Sequence, residues 1–166
     1  MSIIAAQAGA QRVYAIEASN ISNYAETLIK QSGCENCVIL VRDKAENFSM
    51  VDFKADVILS EWMGYFLIKE RMFPSVAGIR DRYLAQHGVM IPGSASLYLA
   101  AFKRKIDPGR LDTSILDRAS NNTASIEICP QDWIVSNPCC ILKMDLQNET
   151  FADNKFSFDF ELEQCT

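Results

Sequence analysis

Two carboxylates, Glu61 and Glu70, stand nine residues apart on either side of Gly64 in the run Ser60-Glu61-Trp62-Met63-Gly64-Tyr65-Phe66-Leu67-Ile68-Lys69-Glu70-Arg71-Met72. Carboxylates paired on one loop have an obvious chemical partner in a guanidinium, whose planar fork of N–H donors they can grip in a fixed plane. The run follows Ala55-Asp56-Val57-Ile58-Leu59, an apolar stretch of strand character. A strand end that opens into a glycine-containing turn is where open α/β sheets build ligand sites. Taken alone, two glutamates beside a helix start are ordinary surface residues. Their sequence context separates them from that background.

The elements that must position this pair alternate in type. Ile3 to Ala8 reads as the last turns of a helix closed by Gly9, and Val13-Tyr14-Ala15-Ile16 as a short strand ending in Glu17. Asn20 is placed to cap a helix running to about Gln31, with Ile21, Tyr24, Ala25, Leu28 and Ile29 on one face and Gly33 ending it. Cys37 to Val41 is continuous in apolar residues, as a parallel strand buried on both faces should be. With Ala55–Leu59 as a third strand, the pattern is that of βαβ units and a parallel sheet. Pro74 to Leu84 reads as a helix with proline in its first turn, and Gly88 leads into Val89-Met90-Ile91-Pro92. Beyond Pro92 the texture is all-β: strand-like runs at Ser96–Phe102, Cys139–Leu146 and Phe156–Leu162, with a polar, turn-rich segment from Lys103 to Asn122. The boundary near Pro92 divides the chain into 1–92 and 93–166.

With 166 residues, 49% hydrophobic and 22% charged, the chain can bury a real core as one domain or slightly more. Its net charge of −5 and the lack of any Lys/Arg-rich run suit a basic protein ligand better than nucleic acid. The apolar N-terminus lacks the basic flank of a signal peptide, and no apolar run approaches the roughly 18–20 residues of a membrane span. A soluble protein of the cytoplasm and/or nucleus, without membrane contact, is therefore expected. Cys34 and Cys37 have the spacing of a zinc or redox pair, yet His87 is the only histidine, and no further ligands stand at suitable spacing. Free thiols and no metal are expected.

The opening run resembles the double-E loop of the protein arginine N-methyltransferases, Ser-Glu-x-Met-Gly-Tyr followed by Glu-x-Met. It is complete here as Ser60, Glu61, Met63, Gly64, Tyr65, Glu70 and Met72. Ala5 to Ala10 is similar to the end of the family's first cofactor-site helix, and Val13 to Ser19 to its second strand with an acidic tip. Lys44-Ala45-Glu46 resembles the adenine-side loop, and Leu84 to Pro92 the crossing into a β-barrel. The resemblance covers most of residues 1–102 and thins beyond them. It implies a partial Rossmann-like methyltransferase sheet followed by a partial β-barrel, and methyl transfer from S-adenosyl-L-methionine to protein arginine. In that reading Glu61 and Glu70 are the catalytic clamp, and Tyr65 and Met72 shape the substrate pocket. Glu17, Lys44, Ala45 and Glu46 hold the cofactor. Arginine-rich tails of histones or RNA-binding proteins are the implied substrates.

Two family motifs have no counterpart in these residues. The glycine-rich Gly-x-Gly-x-Gly cofactor loop is expected just before residue 1, and the Thr-His-Trp loop is not found downstream. The chain therefore reads as a member shortened at both ends. A doubly wound sheet without its central first strand should leave strands that do not otherwise pair. A second expectation follows: a non-catalytic partner of a full-length family member, in a homo- or hetero-oligomer, or a fragment of such an enzyme.

Overall fold

The computed structural model of the protein describes residues 1–103, 126 and 128–149. Helix α1 (Ser2–Gln7) stops where Gly9 takes a left-handed φ of +101°, a geometry that only glycine adopts at little cost. Strands β1 (Val13–Ile16) and β2 (Val38–Val41) pair in parallel, with Val13 opposite Val38 and Ile16 opposite Val41. Helix α2 (Ile21–Gln31) is their crossover. Strands β3 (Ala55–Leu59) and β4 (Leu84–Ile91) form a second parallel pair around helix α3 (Phe73–Tyr83). After a cis Ile91–Pro92 bond, β5 (Ser94–Leu99) pairs antiparallel with β6 (Cys139–Asp145). Among the described residues these are three separate two-stranded sheets.

The alternation expected of the first half is present, with differences that have physical causes. Asn20 occupies the N-cap position of α2 without a capping side-chain bond. The Ser19 hydroxyl accepts the Ile21 N–H instead, at 3.3 Å. On the expected apolar face of α2 only Ile29 is buried, while Ile21, Tyr24 and Leu28 are more than half exposed. Two strands about 4.8 Å apart make a strip barely as wide as one helix, and α1 shares the same face through Ile3 and Ala6. For the same reason β2 is not covered on both sides. Val38 is buried beneath the helices, whereas Ile39 on the other face is 42% exposed. Leu84 opens β4 rather than closing α3, and the strand expected at 96–102 is β5, ending at Leu99. The Phe156–Leu162 strand and nearly all of the Lys103–Asn122 segment lie outside the described residues. Of the expected β-barrel, the β5–β6 pair is what the described residues contain.

Three packed groups hold these pieces. Ile29, Cys34 and Val38 close the first pair under α1 and α2. Tyr14, Phe48, Phe53 and Tyr83 form an aromatic quartet with ring centroids 5.0–6.0 Å apart, joining β1 to the end of α3. Trp62, Phe73, Ala77, Met144 and Leu146 pack as one cluster that joins the loop after β3, helix α3 and the end of β6. Arg80, 5% exposed, reinforces that last junction by donating to the Leu146 and Glu149 carbonyls at 2.9 and 2.6 Å. Gln147 does likewise for β4, donating to the Gly88 carbonyl and accepting from the Met90 N–H.

Leu146 is fully buried at the centre of this junction. Leu146→Ala is expected to destabilise the chain by about 2–5 kcal/mol through lost burial and the cavity left behind. Val51→Ala, at a residue 87% exposed, should stay within about 0.5 kcal/mol. Chemical denaturation of both variants checks the contrast; equal midpoints would mean that the junction is not cooperative with the rest of the fold.

Candidate active site

The loop after β3 is built outward from its tryptophan. The Ser60 N–H donates to the Ile91 carbonyl at 3.0 Å, extending the β3–β4 ladder one residue past Leu59 and leaving Glu61 at the strand mouth. Trp62 then turns inward to 2% exposure, its ring 5.1 Å from that of Phe73. With Trp62 pinned, the chain reverses between Gly64 and Leu67, where the Gly64 N–H donates to the Leu67 carbonyl at 3.3 Å. Phe66, Leu67 and Arg71 hold φ values of +58°, +55° and +54°. Left-handed backbone at a non-glycine residue costs about 1–2 kcal/mol, and such residues cluster at functional sites.

Glu70 folds back over Gly64. A Cβ at Gly64 would lie 2.4 Å from both Cγ and Cδ of Glu70, so the Glu70 side chain can hold this position only over a glycine. Glu61 and Glu70 are both exposed, and neither has a hydrogen bond or ion pair among the described residues. The structure thus presents two free carboxylates on one anchored loop at the C-terminal edge of a parallel strand. Met72 edges a small cleft together with Trp62, Ile68, Arg71, Phe73 and Pro74, and Tyr65 stands at the loop tip, 64% exposed.

A second set of expected residues sits at the C-terminal ends of β1 and β2. The Glu17 N–H donates to the Val41 carbonyl, which holds the acidic tip beside the start of the next loop. Its carboxylate accepts the Ser19 N–H at 2.7 Å, and hydrogen bonding from Ser19 holds it below the usual carboxylate range. Lys44, Ala45 and Glu46 form the loop after β2, with a 3-10 turn at Ala45–Asn47. Asp43 accepts the Lys44 N–H at 2.7 Å and the Asn47 amide at 2.8 Å, tying the turn at its start. The Glu46 carboxylate accepts the Ser75 hydroxyl, which lowers its pKa. That bond links the loop after β2 to α3, three residues beyond Met72. Ser75, Arg82 and Tyr83 were not singled out from sequence; they are ordinary helix residues whose partners lie about thirty positions away.

Cys34 and Cys37 do not share a ligand. Their thiols donate to the Ser32 and Ala10 carbonyls, and no group of three metal-ligating side chains occurs among the described residues. An open cleft between α2 and β2 is lined by Glu26, Lys30, Glu35 and Arg42 beside apolar neighbours and contains none of the candidate residues. Residue chemistry, not concavity, locates the site.

No protein-family model matches the chain. Protein arginine N-methyltransferase 1 of Dictyostelium discoideum is 33% identical over 172 residues, covering 98% of this chain and 50% of that relative. The crystal structure of Arabidopsis thaliana protein arginine methyltransferase 10 matches with a TM-score of 0.78 at 30% identity, over 91% of this chain and 52% of that one. The Trypanosoma brucei PRMT1 enzyme–prozyme heterotetrameric complex with AdoHcy matches with a TM-score of 0.78 at 27% identity, over 92% of this chain and 51% of that one. The chain spans about half the length of the curated relatives it matches. With its α/β methyltransferase fold, its loop of two free glutamates and this similarity along nearly its whole length, the chain belongs to the protein arginine N-methyltransferase family.

Proposed function

We propose that this chain serves methyl transfer from S-adenosyl-L-methionine to a guanidinium nitrogen of protein arginine. The observation that carries the reading is the pair of unpartnered, solvent-open carboxylates, Glu61 and Glu70, on a loop fixed by a buried tryptophan. An arginine side chain stays charged at any working pH, and a charge-assisted bidentate grip sets the plane of its guanidinium. Holding that plane supplies much of the rate enhancement through positioning. When bound, the cofactor supplies an electrophilic methyl on a sulfonium. Substrate and sulfonium are both cations, and two unit charges 4 Å apart repel by about 4 kcal/mol at an effective dielectric near 20. Glu61 and Glu70 oppose that repulsion while fixing the guanidinium.

Glu17 and Glu46 fit the nucleoside side. Carboxylates at the tips of parallel strands accept ribose hydroxyls in such folds, and the Ser75 bond uses one oxygen of Glu46 and leaves the other to accept an adenine amine. Lys44 and Ala45 bring the adjoining backbone. The same reading divides the chain at Pro92 into a cofactor-binding part, 1–92, and a partial β-barrel substrate part, 93–166, acting in the cytoplasm and/or nucleus on arginine-rich tails. A non-catalytic role is the second reading. The α2 face bearing Ile21, Tyr24 and Leu28 is exposed, and one structural neighbour is an enzyme–prozyme heterotetramer. On this second reading the chain would act beside a full-length family member, and co-purification without S-adenosylhomocysteine binding would support it over the first.

Labelled methyl transfer to an arginine-rich peptide tests the first reading. Glu61→Gln removes one charge of the grip and is expected to lower the rate at least about 30-fold, the scale of truncating one partner of a charge pair that the bound substrate desolvates. No transfer by the unmodified chain at any cofactor concentration would sink the proposal. Gly64→Ala drives a methyl into Glu70, so activity should fall comparably while thermal unfolding changes little; undiminished activity would show that Glu70 need not lie over Gly64. Glu17 and Glu46 are held below the ordinary carboxylate value. Their bonds are therefore complete above about pH 4.3 and lost as pH falls through the lowered values. Carboxyl titration by NMR should give both midpoints below that value, and a midpoint above it would contradict the assigned hydrogen bonds.

A further inference from the structure

Arg82 lies outside both expected sets, yet its guanidinium donates to three carbonyls of the loop after β2. Its Nη1 donates to the Phe48 carbonyl at 2.8 Å and to the Glu46 carbonyl at 3.5 Å, and its Nη2 donates to the Ala45 carbonyl at 3.0 Å. Its Nε donates to the Gly78 carbonyl of its own helix at 3.0 Å, and the guanidinium stands 5.1 Å from the Tyr83 ring centre. The head group is therefore fixed from behind and aimed at the carbonyls around the end of the 3-10 turn, where the Ala45 carbonyl also accepts the Phe48 N–H at 3.3 Å. Tyr83 completes the grip, its hydroxyl donating to the Phe48 carbonyl and accepting the Met50 N–H. A lysine could not reproduce this, because a single ammonium lacks the planar fork that reaches separate carbonyls at once.

We propose that Arg82 is the positioning residue of the nucleoside-side loop, gathering the Ala45, Glu46 and Phe48 carbonyls so that the Glu46 side chain is held ready for its ligand. This rests on the cofactor reading of Glu46 given above. Because Arg82 also donates to α3, whose first turn carries Ser75, one helix fixes both the backbone and the carboxylate of that loop.

The test uses the full chain with Arg82→Lys and Arg82→Met, S-adenosylhomocysteine as the probe in calorimetry, and amide exchange of the ligand-free protein. In Arg82→Met the Asn47, Phe48 and Met50 amides should exchange at least about tenfold faster, while those of the β1–β2 pair keep their protection. Affinity for S-adenosylhomocysteine should fall about tenfold, Arg82→Lys should lie between, and affinity for an arginine-rich peptide should not change. Unchanged loop exchange, or variant affinity equal to wild type, overturns the proposal. So does an equal loss of peptide and S-adenosylhomocysteine affinity, which would mark a general structural role. A wild-type chain that fails to bind S-adenosylhomocysteine overturns the cofactor reading itself and the role given to Arg82 with it.

Discussion

The burial of Trp62 is the interaction on which the rest depends. It lies one residue past Glu61, so its packing against Phe73, Ala77, Met144 and Leu146 determines where the carboxylate loop begins. Its partners come from the helix that follows the loop and from the end of β6, so the loop is seated between the two halves of the chain. Burying an aromatic side chain of this size is among the larger single contributions that a small core contains. That contribution offsets the cost of three left-handed residues within the next nine positions. The indole N–H has no hydrogen-bond partner among the described residues, so the anchor works by packing alone.

The α/β part is two narrow ribbons instead of one wide sheet, and its cohesion comes from side chains instead of a continuous ladder. The aromatic quartet, Arg82 and the Glu46–Ser75 bond all tie the loop after β2 to α3. Helix α3 thus connects three segments: its first turn packs on the loop after β3, its middle holds the end of β6 through Arg80, and its end holds the loop after β2. Narrow ribbons also explain why apolar residues such as Ile39, Val57 and Leu59 remain partly open, since one helix layer covers one face of a two-stranded strip.

Much of this was legible beforehand. The bounds of β1, α2 and β3 follow from apolar runs closed by Glu17, Gly33 and the double-E motif, because periodicity and glycine stops are local properties of the chain. The carboxylate pair was legible for the same reason: its residues and the glycine between them lie within ten positions. Where expectation and structure part, the cause is tertiary. Asn20 does not cap because Ser19 reaches the free N–H first, and α2 leaves most of its apolar face open because too little sheet lies beneath it.

Residue types and spacing by themselves determined the α/β alternation and the two glutamates, and the resemblance of their motif to a known one pointed to the family, since each depends on neighbours in sequence. Only the tertiary structure decided that Glu70 lies over Gly64, that Trp62 is anchored by β6, and that Arg82 and Ser75 govern the Glu46 loop. Those contacts join residues 29 to 84 positions apart, apart from Glu70 with Gly64. No periodicity encodes such pairings. They exist because helix α3 brings together segments that share no local pattern.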